Sequence, residues 1–529
     1  MADNEQRYVS LRPAGTSERR CIMRHTLGYY RGLIVAGRYT TPDGFPVHAK
    51  ESFYPALKHC ISTHPMLSAA IKGELTESPE LIRPETMDLS NHVEITEPVV
   101  TTDSGSPHAE LEAIKPLLCH AHDQQFPDTS RIPPWRIVVI PLTTNPAPTT
   151  TAQAFYLLFT YSHSHGDGPS GLSFHRTLLS ALRHPTQTAL SSASTSLSAA
   201  SPIYHPPATP ALLPPIERTV ALPVSWPFLL LPVASSYLPS ALLTSRLLTS
   251  RHVLFRASVA PHRPDAWTAL PTAYDAANFR TGAAFALAPP AVVQGMLRRC
   301  RMHNGVKLTG ALHGVVVRAL SAALPESPSS ASFIAQTAIN LRHLMPRYGT
   351  PDDPRNWAAA VGLCVSVAHH AFPRDDGAVE ALAADGGEDV FWHRARETTR
   401  ALAERSSTLG DQPIGLLKYL RSFRGWLEGQ VGGRREASYE VSNLMAFKPE
   451  GEGEGEGGWG LGRMVFSQPA NATGAAVNFN IVTREGGDMV VALTWQRGVL
   501  GVDGGDEDGW AKGVCEGLER GMRALSGVQ

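Results

Sequence analysis

One short region of the sequence constrains the fold more than any other. Residues 155–161 form an apolar, aromatic run, which indicates a strand buried on both faces. The run leads directly into the polar segment His163-Ser164-His165-Gly166-Asp167-Gly168. Leucines then recur at helical spacing as far as Leu182. The pattern predicts a strand, a tight turn and a helix with Ser170 as its N-cap, so that the turn presents its polar side chains to a cleft.

The rest of the chain also alternates between two kinds of pattern. Strand-like patterns occupy residues 33–36, 135–140, 283–287, 333–339, 361–367, 475–482 and 489–495. Helix-like patterns occupy residues 53–61, 290–300, 308–324 and 510–525. Because 529 residues exceed one ordinary domain, we expect two α/β units. We place a flexible tail at residues 1–23, one domain at 24–270 and a second at 275–529. A flexible insertion, rich in Ser, Ala, Thr and Pro, is expected at about 184–215.

Composition excludes several classes of protein. Lys and Arg total 47 and Asp and Glu total 48, so the basic surplus of a nucleic-acid binder is missing. The six cysteines are scattered, which argues against a disulfide framework or a zinc site, and the histidine spacing shows no metal motif. The polar N-terminus lacks a signal sequence, so we expect a cytoplasmic protein. Prolines interrupt the apolar stretch 221–243, which argues against a membrane span but leaves peripheral membrane contact open.

The polar segment contains what acyl transfer to an alcohol requires. A hydroxyl attacks slowly unless a base removes its proton as the new bond forms, and a neutral histidine is such a base near pH 7. A thioester is already activated, so neither a protein nucleophile nor a metal is needed. His163 and His165 are both candidates, and the neighbouring glycines permit a tight turn and close approach of a ligand.

The order His-x-x-x-Asp-Gly, formed by His163, Asp167 and Gly168, resembles the signature of the coenzyme A-dependent acyltransferase superfamily. This superfamily includes chloramphenicol acetyltransferase, the plant BAHD enzymes and peptide-synthetase condensation domains. Several further segments resemble its fungal alcohol acetyltransferases: residues 24–30, 134–136, 168–175, 340–342, 439–444 and 465–468. The resemblance implies two chloramphenicol-acetyltransferase-like domains, each a mixed sheet flanked by helices, with an active-site tunnel at their interface.

The same resemblance implies roles for particular residues. His163 would be the general base, and Asp167 would be structural and paired with Arg342. The remaining candidates for lining or supporting the site are Gly168, Asn340, Ser442, Asn443 and Ser467. Ser442, Asn443 and Ser467 could also donate hydrogen bonds to the oxyanion. The chain lacks the Asp-Phe-Gly-Trp-Gly motif of the plant branch, which favours the fungal branch.

The resemblance also implies the reaction partners. Acetyl-CoA, or another acyl-CoA, would be a co-substrate rather than a bound cofactor. The acceptor would be a hydrophobic alcohol or a hydroxylated secondary metabolite, and we expect a monomer.

Other interpretations remain open at this point. His163 could be a buried histidine bonded to the backbone, and Asp167 could cap the following helix. Asn340 and Arg342 could form a surface pair, and the C-terminal Ser and Asn residues could serve turns. The alternatives to an acyl-CoA enzyme are a condensation-type catalyst fed by a carrier protein and an inactive binding relative. A serine hydrolase using Ser170 is disfavoured because the spacing misses G-x-S-x-G.

Overall fold

The computed structural model describes residues 7–101, 106–143, 153–184, 200–230, 263–350, 353–355, 357–377, 388–449 and 458–528. The helices of these ranges are α1 (Thr16–Thr26), α2 (Tyr54–Thr63), α3 (Pro107–Asp123), α4 (Gly168–Arg183), α5 (Ile216–Thr219), α6 (Pro290–Met302), α7 (Leu308–Ala323), α8 (Glu388–Ser406), α9 (Phe423–Glu428) and α10 (Glu507–Ser526).

The strands of the same ranges are β1 (Tyr8–Pro13), β2 (Gly32–Thr40), β3 (Ala70–Lys72), β4 (Glu80–Pro84), β5 (Met87–Asp88), β6 (Val93–Ile95), β7 (Val99–Val100), β8 (Trp135–Thr143), β9 (Ala154–Ser162), β10 (Ile203–Tyr204), β11 (Ala266–Trp267), β12 (Thr281–Ala288), β13 (Ser332–Asn340), β14 (Tyr348–Thr350), β15 (Asp353–Arg355), β16 (Val365–Pro373), β17 (Tyr439–Phe447), β18 (Gly460–Ser467), β19 (Val477–Arg484) and β20 (Met489–Gln496). The predicted strand at 361–367 begins later, at Val365.

Two large mixed sheets organise the molecule, as the α/β prediction requires. The first has the strand order β18-β2-β9-β8-β6, and β7 adds to β8. The second has the order β11-β13-β17-β19-β20-β12, and β16 pairs with β13. In the second sheet β13, β17 and β19 are mutually parallel, whereas β19, β20 and β12 are antiparallel.

Each sheet has one face covered by helices and one face turned toward the other sheet. The odd-numbered residues of β9 join a core with α2 and α4, and those of β19 join a core with α7 and α10. A third core forms between the sheets, where β2, β8, β9 and β18 of the first sheet and helix α3 meet β12 and β20 of the second. We call the side of the second sheet that contributes to this third core the inter-sheet face; it carries Phe285 and Ala492. Strand alternation therefore assigns every residue of these strands to the helix side or to the inter-sheet face.

The structure changes three expectations about chain organisation. Residues 8–23 are not a loose tail, because β1 pairs with β4 and α1 packs into the body. Within the expected insertion, residues 185–199 lie outside the described ranges, whereas β10 pairs with β5. Strand β18 falls in the expected second domain but pairs with β2 of the first sheet. Conversely, β11 falls in the expected first domain but pairs with β13 of the second sheet. Each half therefore contributes a strand to the sheet of the other.

The apolar stretch 221–243 is described only as far as residue 230. None of the helices in the described ranges combines the length and the apolarity needed to cross a bilayer.

Several histidines are enclosed within the protein. Burial is the main cause that lowers the pKa to about 4 in His25, His92, His122, His165 and His175, and to about 3 in His313 and His370. Because their folded-state pKa lies below the unfolded value near 6.5, the unfolded chain binds more protons between pH 6.5 and 4. The contribution of these histidines to the free energy of unfolding is therefore fully present above pH 6.5 and is lost as the pH falls toward 4.

We predict that the free energy of unfolding, measured with urea, falls by on the order of several kcal/mol between pH 7 and pH 5, since each such histidine contributes up to ~1.4 kcal/mol per pH unit. An equal urea midpoint at the two pH values would show that these rings are not held neutral by burial.

Candidate active site

The polar turn after β9 is built as a rigid corner. The strand ends at Ser162, and the His165 backbone N–H donates to the Ser162 carbonyl at 2.9 Å. The Tyr161 hydroxyl donates to the Asp167 carbonyl at 2.7 Å, which closes the corner from inside. The predicted N-cap was wrong by three residues: α4 begins at Gly168, and Asp167 caps it by accepting from the Ser170 backbone N–H at 3.2 Å. Asp167 thus caps the helix, which is one of the two roles that the sequence suggested for it.

His163 has a defined orientation in this corner. Its Nδ1 lies 2.8 Å from the Gly166 carbonyl oxygen, and a carbonyl can only accept, so Nδ1 carries the hydrogen. In the neutral ring Nε2 is then an unprotonated acceptor. His163 is partly exposed, whereas Ser162, Ser164 and His165 beside it are buried. The corner therefore turns this one imidazole toward accessible space.

The electrostatic surroundings keep the His163 ring neutral. Desolvation is the largest cause, followed by the positive charge of Arg24, and together they lower its pKa to about 4. The Tyr30 ring lies beside it, with the ring centroids 5.5 Å apart. At neutral pH this histidine is thus available to accept a proton.

Asp167 and Arg342 form the buried pair that the sequence suggested. Their side chains make two parallel bonds of 2.7 Å, and both residues are nearly inaccessible. The Asp167 carboxylate also accepts from the Cys364 backbone N–H at 2.9 Å, and the Arg342 guanidinium donates to the carbonyls of Trp357 and Gly362. Although burial opposes it, the Arg342 guanidinium and these donors hold the Asp167 pKa below its usual value. The Asp167 carboxylate is therefore fully engaged in structural hydrogen bonds.

This pair joins the two halves of the molecule. Asp167 begins the first helix after β9, whereas Arg342 follows β13 and Cys364 precedes β16 in the second sheet. Asn340 supports the arginine, because its side-chain oxygen accepts from the Arg342 backbone N–H at 3.0 Å. Removing one partner of such a pair leaves a buried, uncompensated charge.

Two other histidines near the corner, His165 and His175, have structural surroundings. Nε2 of His165 lies 2.7 Å from the Ala69 carbonyl and its Nδ1 lies 3.0 Å from the Ser164 hydroxyl, so both nitrogens are occupied. His175 bonds the Val35 carbonyl within the core. His163 is thus the better placed of the two candidate bases.

The remaining predicted site residues occupy different places. Ser442 lies on the inter-sheet face of β17, in register with Asn480. Asn443 points to the opposite side, where its amide donates to the Thr309 hydroxyl at 3.1 Å and its oxygen accepts from the Met445 N–H at 2.8 Å. Asn443 therefore fits the alternative interpretation, in which its side chain stabilises a turn.

Ser467 and Gly168 are both tightly enclosed. The Ser467 hydroxyl lies 2.7 Å from Nε2 of His122, whose Nδ1 is bound to the Gly32 carbonyl, so Ser467 donates to His122. A Cβ on Gly168 would lie 2.2 Å from Leu444, so the close approach at this glycine is made by β17 of the other half.

Four residues near His163 were not chosen from the sequence. Arg24 lies over the Tyr30 ring at 4.4 Å, and the Tyr30 hydroxyl donates to the Gln468 side-chain oxygen at 2.8 Å. The Gln468 amide in turn donates to Glu440 at 2.8 Å. Each of the four lies in a segment that resembles the family. Glu440 could have been chosen from the sequence, because it is an acidic residue between the apolar Tyr439 and Val441 of a strand-like segment.

A surface cavity of about 570 Å³ opens beside β6 and β8, lined by residues including Lys50, Glu94, Phe126 and Arg136. None of its lining residues is a predicted site residue, so the tunnel between the halves stays a prediction. Within the described ranges no three His, Cys, Asp or Glu side chains gather as metal ligands would.

Comparison with known proteins decides the family. The model of the alcohol acetyltransferase family matches residues 122–504, which include the corner, the Asp167–Arg342 pair and β17 to β20. The chain belongs to the alcohol acetyltransferase family. This membership confirms the enzyme class expected from the sequence, an acyltransferase.

Relatives within this alcohol acetyltransferase family are distant but nearly full-length. The probable alcohol acetyltransferase crmB of Aspergillus fumigatus is 22% identical, with 93% of this chain and 95% of that protein covered. The probable alcohol acetyltransferase FCK4 of Fusarium pseudograminearum is 23% identical, with 97% of this chain and 95% of that protein covered.

Solved structures establish the fold of this family member. The trichothecene 15-O-acetyltransferase TRI3 of Fusarium sporotrichioides superposes with a TM-score of 0.65 at 11% identity, with 98% of this chain and 95% of that chain covered. The first condensation domain of the CDA synthetase gives a TM-score of 0.52 at 14% identity, with 96% and 97% covered. The two-lobed architecture expected from the motif is therefore confirmed.

We predict that Asp167→Asn lowers the free energy of unfolding by about 3–5 kcal/mol, because Arg342 is left buried without a counter-charge. Adding Arg342→Met should cost less than the sum of the two single changes. Urea unfolding of the single and double variants measures this coupling.

The matched control is the exposed pair of Arg497 and Asp508, whose side chains are 41% and 57% exposed. Asp508→Asn should cost less than ~1 kcal/mol, because solvent screens such a pair. Additive costs at Asp167 and Arg342 would mean that the buried pair does not hold the halves together.

Proposed function

We propose that this enzyme transfers an acetyl or related acyl group from acyl-CoA to the hydroxyl of an alcohol, with His163 as the general base. The observation that carries the proposal is the Nδ1 contact of His163 with the Gly166 carbonyl, because it leaves Nε2 as an acceptor on a partly exposed ring. Family membership supports the reaction class, and the corner supports the residue.

The proposed step uses one base twice. Nε2 of His163 accepts the acceptor's hydroxyl proton while that oxygen attacks the thioester carbonyl carbon. The C–O bond forms, the tetrahedral oxyanion collapses and the C–S bond breaks. The imidazolium then returns its proton to the departing sulfur, so an ester and free coenzyme A leave and the ring is neutral again.

Among the predicted oxyanion donors we favour Ser442. Its side chain lies on the inter-sheet face, and its hydroxyl forms no hydrogen bond with the residues that the structure describes. Ser467 would have to release His122 first, and Asn443 would have to leave Thr309.

For the donor we propose acetyl-CoA, because two relatives bear acetyltransferase names. For the acceptor we propose a hydroxylated secondary metabolite, since TRI3 is described as a trichothecene 15-O-acetyltransferase. A carrier-protein donor would be indicated if free acetyl-CoA were not turned over and a loaded carrier restored ester formation.

His163→Ala should lower kcat/KM for ester formation by roughly 10²–10⁴-fold, because the proton of the attacking hydroxyl loses its acceptor. Mass spectrometry of products from acetyl-CoA and a panel of alcohols measures this, with circular dichroism to confirm folding. His48→Ala, an exposed histidine far along the chain from the corner, is the control and should keep wild-type activity. Equal loss in both variants, or retained activity in His163→Ala, would refute the assignment.

The pH dependence provides an independent prediction. Because the His163 pKa is lowered to about 4, its neutral form persists across the physiological range. The profile of kcat/KM should be flat from pH 8 to about 6 and should descend only as the pH falls toward 4. Initial rates on protein shown to be folded at each pH measure this, and an inflection near 6.5 would contradict the desolvated ring.

A further inference from the structure

The inter-sheet face is apolar at one end and polar at the other. At β12 and β20 it carries the apolar side chains of the third core. On the same face, four polar residues of neighbouring strands lie side by side in one row. They are His369 of β16, Gln336 of β13, Glu440 of β17 and Asn478 of β19. Polar side chains in the interior strands of a sheet are costly unless they find hydrogen-bond partners.

This polar end is also where the face becomes accessible. The side chains that β16, β13 and β17 direct to the inter-sheet face, namely Val365, Val367, Gln336, Ala338 and Glu440, are partly exposed. Their alternating neighbours on the helix side, such as Ala335, Thr337, Tyr439 and Val441, are buried. This row is therefore an accessible strip on the inter-sheet face; we call it the strand groove.

Glu440 is an acidic group of the strand groove, and Glu436 lies beside the same row, with its carboxylate 3.4 Å from Nε2 of His369. One oxygen of the Glu440 carboxylate accepts a hydrogen bond from the Gln468 amide. Burial raises the pKa of this carboxyl, while Gln468, Arg24 and Arg20 act in the opposite direction. A carboxylate has two oxygens with about four acceptor sites, so it retains capacity for a further donor.

The strand groove connects to the catalytic histidine through a short relay. Glu440 accepts from Gln468, Gln468 accepts from the Tyr30 hydroxyl, and the Tyr30 ring lies beside the His163 ring. Arg24 also contributes, because its charge influences both His163 and Glu440. Two side chains, Tyr30 and Gln468, therefore link His163 to Glu440.

We propose that Glu440 binds a second hydroxyl of the acceptor, so that the preferred substrates are diols or polyols rather than simple alcohols. This inference rests on the proposed function, since it assumes that the acceptor binds beside His163. The guanidinium groups of Arg20 and Arg24 offset the carboxylate charge, which favours a neutral hydroxyl over an ammonium group as the bound donor. Sites built to hydrogen-bond a substrate hydroxyl discriminate strongly against analogues that lack it.

The test compares acceptors that differ only in a remote hydrogen-bond donor. Straight-chain diols of increasing length are assayed with acetyl-CoA beside their monomethyl ethers and the corresponding 1-alkanols. The ether keeps an acceptor oxygen but loses the donor. In the wild-type enzyme, kcat/KM for the diol of best-fitting length should exceed that of its ether by at least ~10-fold, well above the twofold expected from two equivalent hydroxyls.

Variants assign the preference to Glu440. Glu440→Leu should reduce the diol-to-ether ratio to about the statistical twofold, and Glu440→Gln, which keeps an acceptor oxygen but no charge, should give an intermediate ratio. Glu485→Gln is the control, because this exposed glutamate pairs with Lys448 outside the groove and should retain the wild-type ratio. Circular dichroism and the KM for acetyl-CoA report whether each variant is folded.

The outcomes separate the two proposals. Ester formation from the 1-alkanols or their diols that disappears in His163→Ala supports the proposed function whatever the ratio. A wild-type ratio near two at every length, or a high ratio that survives in Glu440→Leu, overturns the role of Glu440. No ester from any acceptor would instead overturn acyl transfer from acetyl-CoA to alcohols of these kinds.

Discussion

The buried ion pair of Asp167 and Arg342 is the constraint on which the rest of the arrangement depends. One carboxylate caps α4, binds a guanidinium from beyond β13 and accepts from the backbone before β16. The corner between β9 and α4 is therefore fixed against the second sheet as well as within the first. Because the corner carries His163 four residues before Asp167, the same bonds that join the halves set the direction of the imidazole.

The His163 geometry then follows from local bonds. The Gly166 carbonyl selects the tautomer, and burial keeps the ring neutral although the residue stays partly exposed. The inter-sheet face of the second sheet changes along the sheet, from the apolar side chains of β12 and β20 to the polar row that includes Gln336 and Glu440. The apolar end packs the two halves together, and the partly exposed polar end is where we propose that a hydroxylated acceptor binds.

The strand, the turn and the helix around His163 could be predicted from the sequence, because neighbouring residues determine them. The apolar run 155–161 and the glycine-containing turn after it specified β9, the corner and α4 to within a few residues. Ser170 was chosen as the cap because its type fits, yet Asp167 fits equally well and is held there by Arg342, which is 175 residues away. The pairing itself came from resemblance to a family, not from spacing.

Contacts between distant segments account for what the sequence did not predict. Residues 8–13 look like a tail because their partner, β4, lies about seventy residues further on. Strand β18 follows the acidic, glycine-rich residues 450–457, and nothing in its own residues indicates pairing with β2 in the other half. Glu440 and Gln468 become neighbours only when β17 and β18 lie on different sheets that face each other.

The protonation state of His163 is the most direct test of the central claim. Nitrogen-15 NMR of histidine-labelled protein, with the resonances assigned by comparison with His163→Gln, reports which ring nitrogen carries the hydrogen. At pH 7 we predict a neutral ring with Nδ1 protonated and Nε2 unprotonated. A protonated Nε2, whether in the other neutral tautomer or in an imidazolium, would contradict the proposed base.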